Sequence, residues 1–229
     1  MRKHIGWMLL VGTLVSLPAS PALAQQQTVN FTFGAFVPTG EDARVAGDVL
    51  NENRTFLVFD IRDFTSAAVG AEWLFPIGGL FEGGAGVSFT RRTVPSVYTF
   101  LVDNNGGEIE QDLRLRRVPI DLTLRFTPLG HSSPVQVYFG GGLTVIPWRY
   151  SEVGDFVDVN DDVFRATFVD SGTQAGAVAL GGVRFQGRGA AGGFEVKYHK
   201  ADAPLSSDFE GTRIDLGGWT YQATLGFRF

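Results

Sequence analysis

Cysteine is absent from this chain, so whatever holds the fold together is not a disulfide. Basic residues are in short supply: 19 Lys and Arg stand against 24 Asp and Glu, for a net charge of −5. That deficit argues against nucleic acid as a partner. Beyond the first 17 residues no stretch approaches 18 consecutive apolar residues, which excludes a membrane-spanning helix in the body of the chain. The sequence also holds no Gly-rich phosphate loop, no spaced set of metal ligands and no nucleophile elbow, so no cofactor and no metal are expected.

The one apolar run lies at the start. Arg2 and Lys3 precede an apolar stretch from Ile5 to Leu17, closed by Pro18, Pro21 and the small-residue site Ala22-Leu23-Ala24. This pattern reads as a secretory signal peptide over residues 1–24, cleaved before Gln25. The remaining 205 of 229 residues form one domain, residues 25–229, and lose Arg2 and Lys3, which takes the net charge to −7.

What the chain has in abundance is glycine, 30 residues, and aromatic side chains, 13% of the total. They fall on eight segments of alternating polarity: Val29 to Val37, Ala67 to Phe75, Phe81 to Thr90, Val118 to Phe126, Val135 to Val145, Ala175 to Phe185, Gly192 to Tyr198 and Trp219 to Phe229. Most are about 9 to 11 residues, the length with which a tilted strand crosses a bilayer. Connections after the first, third, fifth and seventh segments are long and rich in Asp, Asn, Gly and Ser. Those after the second, fourth and sixth are short: PIGGL, TPLGHSSP and QGRGAA. Long loops at one end and tight turns at the other are the rhythm of a transmembrane barrel.

The two parities differ sharply. One carries Phe31, Phe33, Val69, Trp73, Phe81, Phe89, Leu122, Leu124, Val137, Phe139, Phe194 and Trp219 and no charge. The other carries Glu72, Glu82, Asp121, Arg125, Arg184, Glu195, Lys197 and Arg228, interleaved with glycine. An eight-stranded interior is just wide enough for side chains to fill it, so small and ionic residues fit inside and the aromatic parity faces outward. Only hydrocarbon tolerates that exterior. An Arg or Lys on such a face at mid-bilayer costs about 2 to 4 kcal/mol. Aromatics gather at both ends of the stripes, Trp73, Phe75, Phe81, Phe126, Phe185, Phe194 and Phe227 toward the turns and Phe89, Tyr198, Trp219 and Tyr221 toward the loops, as interfacial belts do. The expected fold is all-β, an up-and-down antiparallel transmembrane barrel of eight strands.

Three stretches, VPIDLTLRFTP, VQVYFGGGLTVIPWRY and TYQATLGFRF, resemble the fourth, fifth and terminal strands of the OmpA/OmpX-type outer-membrane barrel domain family. The resemblance spans residues 25–229. It implies location in the cell outer membrane, among lipid and lipopolysaccharide. It also implies that Tyr221, Ala223, Leu225, Phe227 and Phe229 form a terminal signal read by the outer-membrane insertion machinery. The chain lacks the periplasmic peptidoglycan-binding domain that follows the barrel in OmpA, so that role does not carry over.

The eight lumen charges, four acids and four bases, are expected to pair, since buried ions must be compensated; a wide aqueous pore needs roughly twice as many strands. The functional expectation is a monomeric, non-enzymatic barrel with a structural, adhesive or surface-recognition role, carried by four extracellular loops with an unidentified extracellular ligand. Rival readings are a narrow channel for ions or small solutes, a lipid A-modifying enzyme using His199 with Ser206, Ser207 and Asp208, and a soluble calycin-like binder. Asp158, Asn160 and Asp162 have the spacing that opens a calcium loop, but Val163 and Val169 stand where Gly and Glu are required. His131 with Ser132 reads as turn chemistry.

Overall fold

The computed structural model describes residues 27–103, 105–158, 160 and 162–229. The signal-peptide reading of residues 1–24 lies outside the described residues. In chain order the strands are β1 (Thr28–Pro38), β2 (Leu57–Val58), β3 (Ser66–Ile77), β4 (Phe81–Val102), β5 (Glu108–Arg117), β6 (Ile120–Phe126), β7 (Val135–Val157), β8 (Val163–Gln186), β9 (Ala190–Lys200), β10 (Asp202–Pro204), β11 (Arg213–Asp215) and β12 (Gly218–Arg228). A short helix, α1 (Val49–Asn53), and two 3-10 turns, Glu41–Ala43 and Ile61–Phe64, lie between β1 and β3.

Antiparallel neighbours close a ring: β1 pairs with β3, β3 with β4, β4 with β5 and β6, these with β7, then β8, β9, β12 and back to β1. Strands β5 and β6 are two halves of one wall strand, so the ring has eight staves. The break between them falls at Val118-Pro119, because proline has no N–H to offer a ladder. Flanking bonds bridge it, from Val118 N to the Pro147 carbonyl and from Ser88 N to the Pro119 carbonyl, each 2.9 Å. Closure through β1 and β12 leaves no open edge in the wall, as hydrocarbon requires.

The uncharged parity faces out. Phe33, Leu122, Leu143, Phe194, Leu225 and Phe227 are between 51% and 70% exposed, whereas Glu72, Arg125, Arg184 and Glu195 are 3% or less. A belt of exposed Phe, Leu, Val and Trp thus surrounds a polar interior, and the wall is that of a transmembrane barrel. Glycine lets the interior fill. A Cβ on Gly182 would lie 2.5 Å from the Tyr138 hydroxyl, and one on Gly140 2.1 Å from the Leu124 carbonyl oxygen.

Strand lengths depart from the sequence reading. The connections expected as second and third long loops are mostly strand: β4 extends to Val102 and β5 begins at Glu108, and β7 and β8 run 23 and 24 residues, the one to Val157 and the other from Val163. They rise past the apolar belt, and there the inward parity becomes greasy. Val94, Leu113, Leu115, Ile146, Trp148 and Tyr150 point in and meet Val49 and Leu50 of α1, Ile61, Phe64, Ala203, Ile214 and Leu216, all buried. The first and fourth connections fold onto this face instead of standing as solvated loops. The protein therefore has an ionic interior within the membrane and an apolar core above it.

Candidate functional site

Period-two alternation places the lumen charges, and the stagger of the strands stacks them in tiers. Nearest the short turns, Arg184 donates from Nη2 to Glu82 at 2.8 Å and from Nε and Nη2 to the Gln136 amide oxygen at 3.1 and 2.7 Å. In the next tier Arg125 pairs with Glu72 and, at 2.9 Å, with Glu195. Glu195 also accepts from Tyr138 at 3.1 Å and Gln222 at 2.8 Å. Lys197 bridges upward, 3.3 Å from Glu72, 3.5 Å from Glu195 and 3.4 Å from Asp121. Asp121 then meets His199 Nε2 at 3.1 Å. The Tyr138 ring carries the Arg125 guanidinium 5.0 Å from its centroid and that of Arg184 at 5.6 Å, a cation–π stack that holds both bases.

Seven of the eight expected lumen residues meet in this ladder. Arg228 does not: it is partly exposed at the turn end, where its Nη1 donates to the Gly187 carbonyl at 3.5 Å. Two interior residues were not anticipated as members. His199 completes the ladder, and Arg117, 1% exposed, lies over the Phe36 ring at 3.9 Å and separates the ions from the apolar core above. Both occupy the charged parity, which is the signal that marks them. Tyr221, Leu225, Phe227 and Phe229 of the terminal stretch all face outward, at least half exposed, with Ala223 between them.

Above the belt a second polar knot joins the first and fourth connections. Asp48 caps α1, accepting from Leu50 N at 3.1 Å and Asn51 N at 3.3 Å. The same carboxylate accepts from Asp215 N at 2.6 Å and pairs with Arg44, whose Nη2 also donates to the Asp215 carbonyl at 3.1 Å. No motif announces this knot, because its halves lie 167 residues apart.

Beside it opens a cleft of about 350 Å³, lined by Phe56, Tyr98, Glu152, Phe168, Phe209 and Glu210 among others. At its floor Glu152 accepts from Asn53 at 2.6 Å and Tyr150 at 2.8 Å. Burial raises the Glu152 carboxyl above the ordinary glutamate range, with those two hydrogen bonds opposing and Glu210 reinforcing the shift. Burial likewise pushes the Tyr150 hydroxyl well up, so it remains a donor.

The remaining candidates have structural partners. His199 is held in the lumen by Asp121, and the Ser206 backbone N–H instead donates to Asp170 at 2.8 Å. Asp158 closes the β7–β8 turn by accepting from Asn160 N at 2.7 Å and Asp162 N at 2.9 Å. His131 Nε2 lies 3.1 Å from the carbonyl oxygens of both Gly78 and Phe81 and ties two turns together.

No protein-family model matches the chain, and no curated protein matches it. Solved structures of similar shape include Ail, the attachment invasion locus protein of Yersinia pestis, in complex with the heparin analogue sucrose octasulfate. It is 11% identical, with 90% of this chain and 99% of that one covered at a TM-score of 0.46. Neisserial surface protein A is 11% identical over 89% of this chain and 96% of its own, at 0.47. The N-terminal β-barrel domain of Pseudomonas aeruginosa OprF is 10% identical over 90% and 98%, at 0.42.

Proposed function

We propose that this protein is a surface-recognition or adhesive barrel of the outer membrane, in which the membrane wall serves as a plugged, ion-paired pedestal for the head above it. The observation that carries this reading is the head itself: strands continue past the apolar belt, enclose an apolar core of their own and present an aromatic and acidic cleft to the outside. A barrel that served only membrane integrity has no need of a second core. Concave, largely apolar sites with a few polar groups are the usual form of a ligand site, and the carboxylates at this one favour a ligand with cationic and apolar character.

The lumen supports a non-conducting and non-catalytic role. Tiers of ion pairs fill the interior from Glu82 to His199, and among the described residues the His199 ring hydrogen-bonds Asp121 and no serine. Closure of the wall through β1 and β12 supports a monomer, and the outward terminal residues are available to insertion machinery as well as to lipid.

The test is surface display in a Gram-negative host. Attachment to target cells should be lost when the tips of β4–β5 and β7–β8 are replaced by short turns, while heat-modifiable gel mobility of the barrel persists. Planar-bilayer recordings of the purified protein should show no steady conductance. Attachment unaffected by removal of the tips would overturn the recognition reading, and stable unitary currents would replace it with the narrow channel.

A further inference from the structure

We propose that the outward face of β4, β5 and β7, just above the apolar belt, is a docking site for a glycolipid of the outer leaflet that bears more than one phosphate. Arg91, Arg116 and Arg149 form a row across three adjacent strands, with Arg91 directly opposite Arg116 and Arg116 directly opposite Arg149. All three are exposed, and among the described residues none has a carboxylate or hydrogen-bond partner. Like charges directly opposed across strands destabilise a sheet, and here two such pairs share one arginine. Strands lie about 4.8 Å apart, so the row spans about 10 Å, the scale of one polar headgroup.

The position of the row identifies the occupant. Each arginine follows the apolar stripe of its own strand: Phe89 precedes Arg91 on β4, Val145 and then Pro147 precede Arg149 on β7, and Ile120 and Val118 continue from Arg116 toward the membrane. A lipid whose chains lie along Phe89, Ile120 and Val145 brings its phosphates to the guanidinium row. The row floors a cleft of about 310 Å³ to which Arg114, Ser151 and Thr167 contribute and no carboxylate does. Arg114, one step further out, is neutralised by Asp112 at 2.8 Å, so the unpaired charge is confined to the level of the lipid headgroups. A zwitterionic phospholipid brings one phosphate with its own ammonium. Three unopposed cations in a chain of net charge −5 match a multiply phosphorylated headgroup instead.

The site rests on the membrane orientation of the wall, which detergent dependence and heat-modifiable mobility check separately. The probes are lipid A carrying two phosphates, its dephosphorylated form and inorganic phosphate, each titrated into the folded protein in zwitterionic nanodiscs. The site variant is Arg91→Gln/Arg116→Gln/Arg149→Gln, and the control removes the same charge elsewhere, Arg62→Gln/Arg165→Gln/Arg188→Gln. Wild type and control should bind phosphorylated lipid A with the same affinity, and the site variant about a hundredfold more weakly. Without lipid the site variant should be at least as stable as wild type. Arg116→Gln alone, which relieves both like-charge pairs, should weaken binding about fivefold. Equal binding by site variant and control, equal binding of dephosphorylated lipid, or full competition by inorganic phosphate each overturns the proposal.

Discussion

Arg125 is the side chain on which the ladder most depends, because it alone faces Glu72, Glu82 and Glu195. Replacing it with Met leaves the buried carboxylates of Glu72 and Glu195 to share Lys197, an uncompensated buried charge of the kind that costs about 3 to 5 kcal/mol when one partner of a buried pair is removed. Arg125→Met should lower the urea midpoint of the folded barrel in lipid vesicles accordingly. Arg228→Gln, by contrast, should shift it by no more than about 0.5 kcal/mol, since among the described residues its side chain hydrogen-bonds a single turn carbonyl. Both arginines lie on the charged parity, and the sequence treats them alike. Only the radial positions separate a paired base from one at the rim.

Strand β7 shows what a single element encodes and what it does not. Its inward parity reads Gln136, Tyr138, Gly140, Gly142 and Thr144, then Ile146, Trp148 and Tyr150, all from an unbroken alternation. The period identifies the strand, but the exchange of polar for apolar at Ile146 is what marks the exit from the membrane. Polarity-based reading therefore ended the strand at Val145, where the outward face ceased to be greasy. The head that results should be separable in stability from the wall. Leu50→Ala removes a fully buried contact of α1 and should cost about 2 to 5 kcal/mol, read as faster proteolysis of the first connection with the wall still resistant. The head should also respond to pH. The Glu152 carboxyl titrates higher in the folded head than its unperturbed value of 4.5, so the folded form takes up the extra proton. Its contribution to stability is fully present below that value and is lost as pH rises through the folded value. Protection factors at α1, which remove the intrinsic pH dependence of amide exchange, should accordingly fall as pH rises above about 4.5, and Glu152→Gln should flatten that dependence. The neighbouring charges that set the response are Glu210 and, through Tyr150, Asp48.

For the whole molecule the governing fact is a solvent that changes along the barrel axis. Within the belt the exterior is apolar and the interior ionic; above it the wall exterior gains arginines and the interior becomes a core. Leu122, 63% exposed on β6, lies within the belt and tests this directly. Leu122→Arg should destabilise the barrel in bilayers by about 2 to 4 kcal/mol yet change little in a mixed micelle that lets the side chain reach water. Thr167→Arg, outward on β8 above the belt and opposite the uncharged Val153, should be tolerated in both. Unequal outcomes would place the membrane boundary, and equal ones would show that Leu122 does not face hydrocarbon.

Eight staves, the greasy exterior and seven of the lumen ions were legible in sequence, because each is a local consequence of period two and of charge being excluded from hydrocarbon; the length of the second and third connections was not, because their strands outrun the apolar belt. The partners within the ladder, the Asp48–Arg44–Asp215 knot, the apolar head and the arginine row were decided by the tertiary structure. Each depends on register between strands or on contacts between connections far apart in the chain, and side-chain alternation alone carries no information about which residue will stand opposite which.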